Sequence, residues 1–143
     1  MRRDRRAVAS TWYRTAERDL RVARAALDIE PSLAAFHAQQ AAEKALKAAL
    51  VLATDDHPRT HTAGRLVRDL RDVDPQIGAE VERDATALDL YYLTSRYPDA
   101  VGDEDPGAVI VREDAEIALA RAQRILEFVR HRIASPDVLP KRD

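Results

Sequence analysis

The sequence predicts an all-α protein, a four- to five-helix up-and-down bundle, on three observations. Only four glycines and 5% aromatic residues stand against many alanines, arginines and leucines, a composition of helices packed through small residues rather than of a β-sandwich. Phe36 to Leu50 contains no Gly, Pro or β-branched residue, and Ala, Leu, Glu, Gln and Lys are the strongest helix formers. Segments with a 3.6-residue apolar period are separated by proline- and glycine-bearing stretches, which gives the order of the helices.

The 143 residues suit one domain with a single core. We expect a helical domain over 8–134, with flexible termini at 1–7 and 135–143. The first helix runs from about Val8 to Leu27, with Val8, Trp12, Ala16, Leu20, Ala23 and Leu27 on one stripe and Ser10 or Thr11 as its cap. Arg2, Arg3, Arg5 and Arg6 before it read as a solvated, frayed start rather than a nucleic-acid arm. Glu30-Pro31-Ser32 opens the central helix, which should pack antiparallel to the first.

On the central helix, Phe36, Gln39, Gln40, Glu43, Leu46, Lys47 and Leu50 share one arc, and alanines cover most of the rest. Gln39, Glu43 and Lys47 form an i, i+4, i+8 polar ladder inside that apolar arc. It is either an ordinary helix-surface pair, worth about 0.2–0.5 kcal/mol, or a hydrogen-bonded polar seam at a bundle or dimer interface.

The segment Thr54 to Thr62 reads as a loop ending in a cap at Thr60 or Thr62. Ala63, Leu66, Val67, Leu70 and Val73 give a short amphipathic helix. His57 and His61 are four apart, but Pro58 spoils a helix through them and no further ligand is near, so no metal is assigned. Asp74-Pro75 ends this helix and starts the next, which carries Ile77, Val81, Leu88 and Tyr91 or Tyr92 and runs to about Thr94; Pro98 closes it. Ala100 to Val111, with Gly102, Pro106 and Gly107, should be a mobile, exposed loop. The last helix spans about Arg112 to Ala134, opened by Glu113 and Asp114 and closed by Arg130, His131 and Arg132 to suit its dipole. Its stripe is Ile117, Ala120, Ile125, Leu126, Val129 and Ile133.

A net charge of -2 gives no global attraction for nucleic acid, so phosphate binding must come from a local patch. The absence of cysteine removes disulfide and thiolate chemistry. No stretch of 18 apolar residues is present, so we expect a soluble cytoplasmic protein with no membrane partner.

Three segments, in fixed order, resemble the HEPN domain family of small prokaryotic helical proteins often encoded beside minimal nucleotidyltransferases. Phe36-His37-Ala38-Gln39-Gln40-Ala41-Ala42-Glu43-Lys44-Ala45-Leu46-Lys47 resembles the family's aromatic, Gln-Ala-x-Glu-Lys-x-x-Lys helix. Thr60-His61 followed by Leu66 and Leu70 is similar to its His-x-x-x-x-Leu segment. Tyr92-Leu93-Thr94-Ser95-Arg96-Tyr97-Pro98-Asp99 is similar to its Tyr-x-x-x-Arg-Tyr-Pro segment.

The resemblance implies a homodimer with long helices forming the dimer cleft. It also implies a nucleotidyltransferase partner in a toxin–antitoxin-type or two-component pair. Many family members are metal-independent ribonucleases using an Arg followed after four to six residues by a His. Arg96 matches the Arg, but Val101, Gly102 and Asp103 stand where the His is wanted. Arg96 can hold a phosphate but cannot act as a base, since a guanidinium keeps its proton to above pH about 12. Asp99, Asp103, Glu104 and Asp105 would repel a phosphate backbone.

The residues therefore favour nucleotide or substrate binding over catalysis, with Arg96, Tyr97, Tyr92, Lys47, Glu43 and His61 as candidate ligands of a phosphate or nucleotide and no cofactor. The alternative is a ribonuclease toxin with a non-standard acid/base, His61 or His37. Arg96 and Tyr97 also admit a purely structural role, closing a helix end.

Overall fold

The computed structural model describes residues 4–135. Those residues form helices and turns and no strand: α1 (Arg5–Ala26), α2 (Pro31–Thr54), α3 (Ala63–Arg71), α4 (Ala79–Asp89), α5 (Tyr91–Thr94), a 3-10 turn (Pro98–Val101), α6 (Pro106–Val109) and α7 (Arg112–Ala134). Residues 1–3 and, of the expected tail, 136–143 lie outside the described residues.

The centre is α2, which packs against α1, α7, α3, α4 and α5. Ala34, Ala35, Ala38, Ala41, Ala42, Ala45 and Ala48 have no exposed surface, because small side chains let neighbouring helix backbones come close. Contacts between residues give the directions. Asp19 meets Lys44 while Trp12 meets Lys47, so α1 and α2 are antiparallel. Arg6 donates to the carbonyl of Ile133 at 2.6 Å and Tyr13 Oη to that of Leu126 at 3.2 Å, so α7 is also antiparallel to α1. Leu46, Leu52, Leu66, Leu88 and Ile125 are the large side chains that fill the space between.

Several expectations change. The first helix begins at Arg5, not Val8, because the Asp4 carboxylate accepts from the backbone N–H of Arg6 and Ala7. Ser10 and Thr11 lie inside the helix and do not cap it. Arg6, read as part of a frayed start, instead ties the first turn to the end of α7 through Ile133 and Ser135. Val8, Trp12 and Leu27 are half-buried, and the stripe is completed by Ala9.

After Asp74-Pro75 the chain makes turns before α4 starts at Ala79, and α4 stops at Asp89 instead of running to Thr94. Leu90 keeps helical dihedrals of φ -52° and ψ -36°, so α5 is a broken continuation of α4. The expected loop from Ala100 to Val111 holds the end of the 3-10 turn and α6, and the side chains of Pro106 and Ile110 are buried. Asp105 accepts from Gly107 N at 2.9 Å to start α6. On α7, Ile117 is half exposed and Ala120 partly so; the buried face is Ala115, Ala118, Leu119, Ala122, Ile125, Leu126 and Val129.

Candidate functional site

The polar ladder on α2 is buried: Gln39 is 0%, Glu43 2% and Lys47 7% exposed. The surface-pair reading therefore gives way to the hydrogen-bonded seam. Lys47 Nζ donates to Glu43 Oε1 at 2.9 Å, and Gln40 Nε2 donates to Glu43 Oε2 at 2.9 Å and to Gln39 Oε1 at 2.7 Å. Gln39 Nε2 donates to the His61 carbonyl at 3.0 Å. Each buried polar atom of the seam is thus satisfied, as burial requires.

This seam reaches α3 through Asp89, whose carboxylate accepts from Ala63 N at 2.7 Å, Gly64 N at 2.9 Å and Gln39 Nε2 at 3.3 Å. Neither Thr60 nor Thr62 supplies the α3 cap by its side chain; a residue from the end of α4 does so. Gly64 makes this approach feasible, since a Cβ there would lie 2.8 Å from Thr86 Oγ1 and 3.3 Å from Asp89 Oδ2. Burial pushes the Asp89 carboxyl above its ordinary value against the lowering effect of the Gly64, Ala63 and Gln39 donors, and nearby Glu43 pushes the same way as burial.

At its exposed end the seam holds His61. Glu43 Oε1 lies 3.0 Å from His61 Nδ1 while the imidazole remains largely exposed. A carboxylate at Nδ1 selects the tautomer with its proton there, which leaves Nε2 as the ring's acceptor. The ring stacks on Tyr92, with centroids 4.9 Å apart and planes 10° from parallel.

Tyr92 is also a neighbour of Arg96. The Arg96 guanidinium lies 4.9 Å from the Tyr92 ring, 4.3 Å from that of Phe36 and 4.8 Å from that of Tyr97. Its Nε and Nη2 donate to the Tyr92 carbonyl at 3.1 and 2.8 Å. The structural role of Arg96 at a helix end is therefore present. Among the described residues, however, no carboxylate pairs with this guanidinium. Asp99, Asp103, Glu104 and Asp105 are exposed and make no ion pair with it.

The six candidate residues thus form one connected group: Lys47, Glu43, His61, Tyr92, Arg96 and Tyr97, in that order. Sequence reasoning missed Phe36 as a wall for Arg96, Gln40 as a second donor to Glu43, and Asp89. Gln40 had a signal, standing next to Gln39 and three before Glu43. His57 turns away to meet the Trp12 ring edge-on at 4.8 Å, so the two loop histidines do not converge. His37 faces Asp19, with Nδ1 to Oδ1 at 3.2 Å, and touches the Phe36 ring at 5.3 Å.

The family model for the HEPN domain matches residues 9–132. The chain belongs to the HEPN domain family. Among solved structures, it is 35% identical to TT1696 from Thermus thermophilus, with a TM-score of 0.80 over 86% of this chain and 96% of that one. It is 34% identical to ST0689, described as an archaeal HEPN homologue, with a TM-score of 0.73 over 93% and 99% of the two chains. No curated protein matches it significantly. No helix of this HEPN chain is long and apolar enough, among the described residues, to cross a membrane.

Proposed function

We propose that this HEPN chain is a nucleotide- or substrate-binding module that works as a homodimer in the cytoplasm with a nucleotidyltransferase partner, in a toxin–antitoxin-type or two-component pair. One observation carries the binding role: the Arg96 guanidinium is held against three aromatic rings with no carboxylate among the described residues to neutralise it. A fixed, uncompensated guanidinium beside stacking rings is suited to a phosphate and its base, because it offers planar charged donors. Calorimetric titration with ATP tests this. Arg96→Ala should weaken binding by about 1.5–3 kcal/mol, the range for a hydrogen bond to a charged group. Equal affinity in both proteins, or none in either, would leave Arg96 as a helix-end residue. Co-purification with a nucleotidyltransferase encoded beside this chain tests the partnership; failure of the two to associate would count against it.

A second reading is favoured by the 3.0 Å contact of Glu43 with His61. A metal-independent ribonuclease needs an imidazole to take the 2′-hydroxyl proton, and His61 offers a largely exposed imidazole stacked on the same tyrosine that neighbours Arg96. Purified protein incubated with single-stranded RNA separates the readings. The binding module leaves the RNA intact, whereas cleavage lost in His61→Ala and in Arg96→Ala would make the ribonuclease correct.

A further inference from the structure

The candidate ligand site draws on three separate stretches of chain: α2 supplies Glu43, α5 and its exit supply Tyr92 and Arg96, and the loop before α3 supplies His61. The His61 side chain is 62% exposed, so packing alone does little to hold it. Hydrogen bonds along the loop backbone hold it instead. Gln39 Nε2 donates to the His61 carbonyl at 3.0 Å, and the Asp89 carboxylate accepts from Ala63 N at 2.7 Å and Gly64 N at 2.9 Å. Gln39 Nε2 also reaches Asp89 Oδ1 at 3.3 Å, so the two anchors hold each other. Among the described residues, the other backbone hydrogen bonds of residues 60–62 stay local: Thr60 N to the Pro58 carbonyl, Thr62 N to Thr60 Oγ1 and Leu66 N to the Thr62 carbonyl. These shape the loop without placing it on another helix.

Asp89 is the last residue of α4, and Leu90 keeps helical dihedrals into α5. No flexible link therefore separates its carboxylate from Tyr92 and Arg96. Asp89 ties the segment that carries those two residues to the loop that carries His61. Its bonds to the first N–H groups of α3 are charge-assisted and lie at the positive end of that helix. A cap for α3 alone could have come from Thr62, which stands at the N-cap position but makes no such bond with its side chain. The cap comes instead from 26 residues away, and only a distant cap fixes the loop relative to Tyr92. The result is the stack of His61 on Tyr92, with centroids 4.9 Å apart.

We propose that Asp89 is a positioning residue of the ligand site: by capping α3 and engaging Gln39 it keeps His61 stacked on Tyr92 beside Arg96, and so sets the affinity for a phosphate-bearing ligand. This rests on the ligand site proposed above, in which His61, Tyr92 and Arg96 meet one ligand. Asp89 acts through His61, not by contact. Both of its oxygens already accept N–H donors, and a carboxylate placed against a phosphate would repel it.

The test compares Asp89→Ala alone with Asp89→Ala combined with Thr62→Asp, which gives α3 a local N-cap. Amide exchange in α3 reports the cap, nuclear Overhauser contacts between the His61 and Tyr92 ring protons report the stack, and calorimetric titration with ATP reports the site. Asp89→Ala should accelerate exchange in α3, lose the ring contacts and bind ATP about tenfold more weakly. In the double variant exchange in α3 should return to that of the unmodified protein, while the ring contacts and the ATP affinity should not. Recovery of all three together would overturn the proposal, because Asp89 would then be a helix cap and nothing more. Ring contacts that persist in Asp89→Ala, or an ATP affinity unchanged by it, would overturn it as well. If ATP binds none of the proteins, the Arg96 reading fails, and loss of the ring contacts in both variants still shows that Asp89 places His61.

Discussion

Glu43 is the residue on which most of the candidate site depends, since Lys47, Gln40 and His61 all meet its carboxylate. Removing one partner from a buried ion pair leaves the other charge uncompensated, at a cost of about 3–5 kcal/mol. Glu43→Ala should lose stability in that range in denaturant melts, while Glu43→Gln, which keeps an acceptor, should lose less. A loss below about 1 kcal/mol, the range of exposed pairs, would mean that the seam is not dry. Asp84 makes a separate prediction. Burial raises its pKa, but the hydrogen bonds and charges of Arg124 and Arg121 outweigh burial and hold the carboxyl below its ordinary value. An acid with a depressed folded pKa stabilises the fold above its unfolded value of about 4, and that stability disappears as pH falls through the folded value. Asp89 has the opposite sign: its raised pKa means that stability grows as pH falls through the folded value toward the unfolded one. Thermal melts from neutral pH to below pH about 4 should therefore show a smaller acid loss for Asp84→Asn than for the unmodified protein, and identical acid slopes would contradict the assignment.

At the scale of the element, α2 and α3 differ in what holds them. Helix α2 is buried on almost every face, and Leu46 has no exposed surface; Leu46→Ala should cost about 2–5 kcal/mol in a denaturant melt. Lys44, outside the arc of Phe36, Gln39, Gln40, Glu43, Leu46, Lys47 and Leu50, carries the Asp19 ion pair between α1 and α2. Its partial exposure keeps the expected cost of Lys44→Ala at no more than about 1 kcal/mol. Helix α3 is one of the short elements, and its first N–H groups depend on Asp89. Asp89→Ala should remove about 0.5–2 kcal/mol, the worth of an N-cap, and amide exchange should accelerate in α3 before it does in α2. Uniform acceleration across both helices would show that α3 does not depend on this cap.

For the whole molecule, the prediction is association. Leu90, Leu93 and Tyr97 are exposed to 61%, 52% and 46% along α5 and its exit, beside the Arg96 cluster. Apolar side chains grouped in this way mark an interaction surface more often than a solvated one. Sedimentation at micromolar concentration should give a dimer, and Leu93→Glu should shift it toward monomer without lowering the melting temperature. A monomer in both cases would assign this face to the partner protein or to nothing.

The all-α class, the order of the helices and the span of α7 were legible in the sequence because each rests on local periodicity and on proline and glycine positions. The Gln39, Glu43 and Lys47 ladder was legible as a pattern, and the Tyr92 to Pro98 segment as a likeness to HEPN domains. Periodicity could not say whether the ladder was wet or dry, because both readings place the same residues at the same spacing. Only the packing of α3 and the end of α4 against α2 buried Gln39 and Glu43. The same packing brought His61 to Glu43 and Tyr92, and Asp89 to Gln39 and the start of α3, across separations of 18 to 50 residues along the chain. Caps and hydrogen bonds supplied by distant segments leave no local signal. For the same reason the sequence misplaced the start of α4 and the cap of α3: a residue's own neighbours fix its tendency to be helical, but the partner that satisfies its backbone or its charge is chosen by the fold.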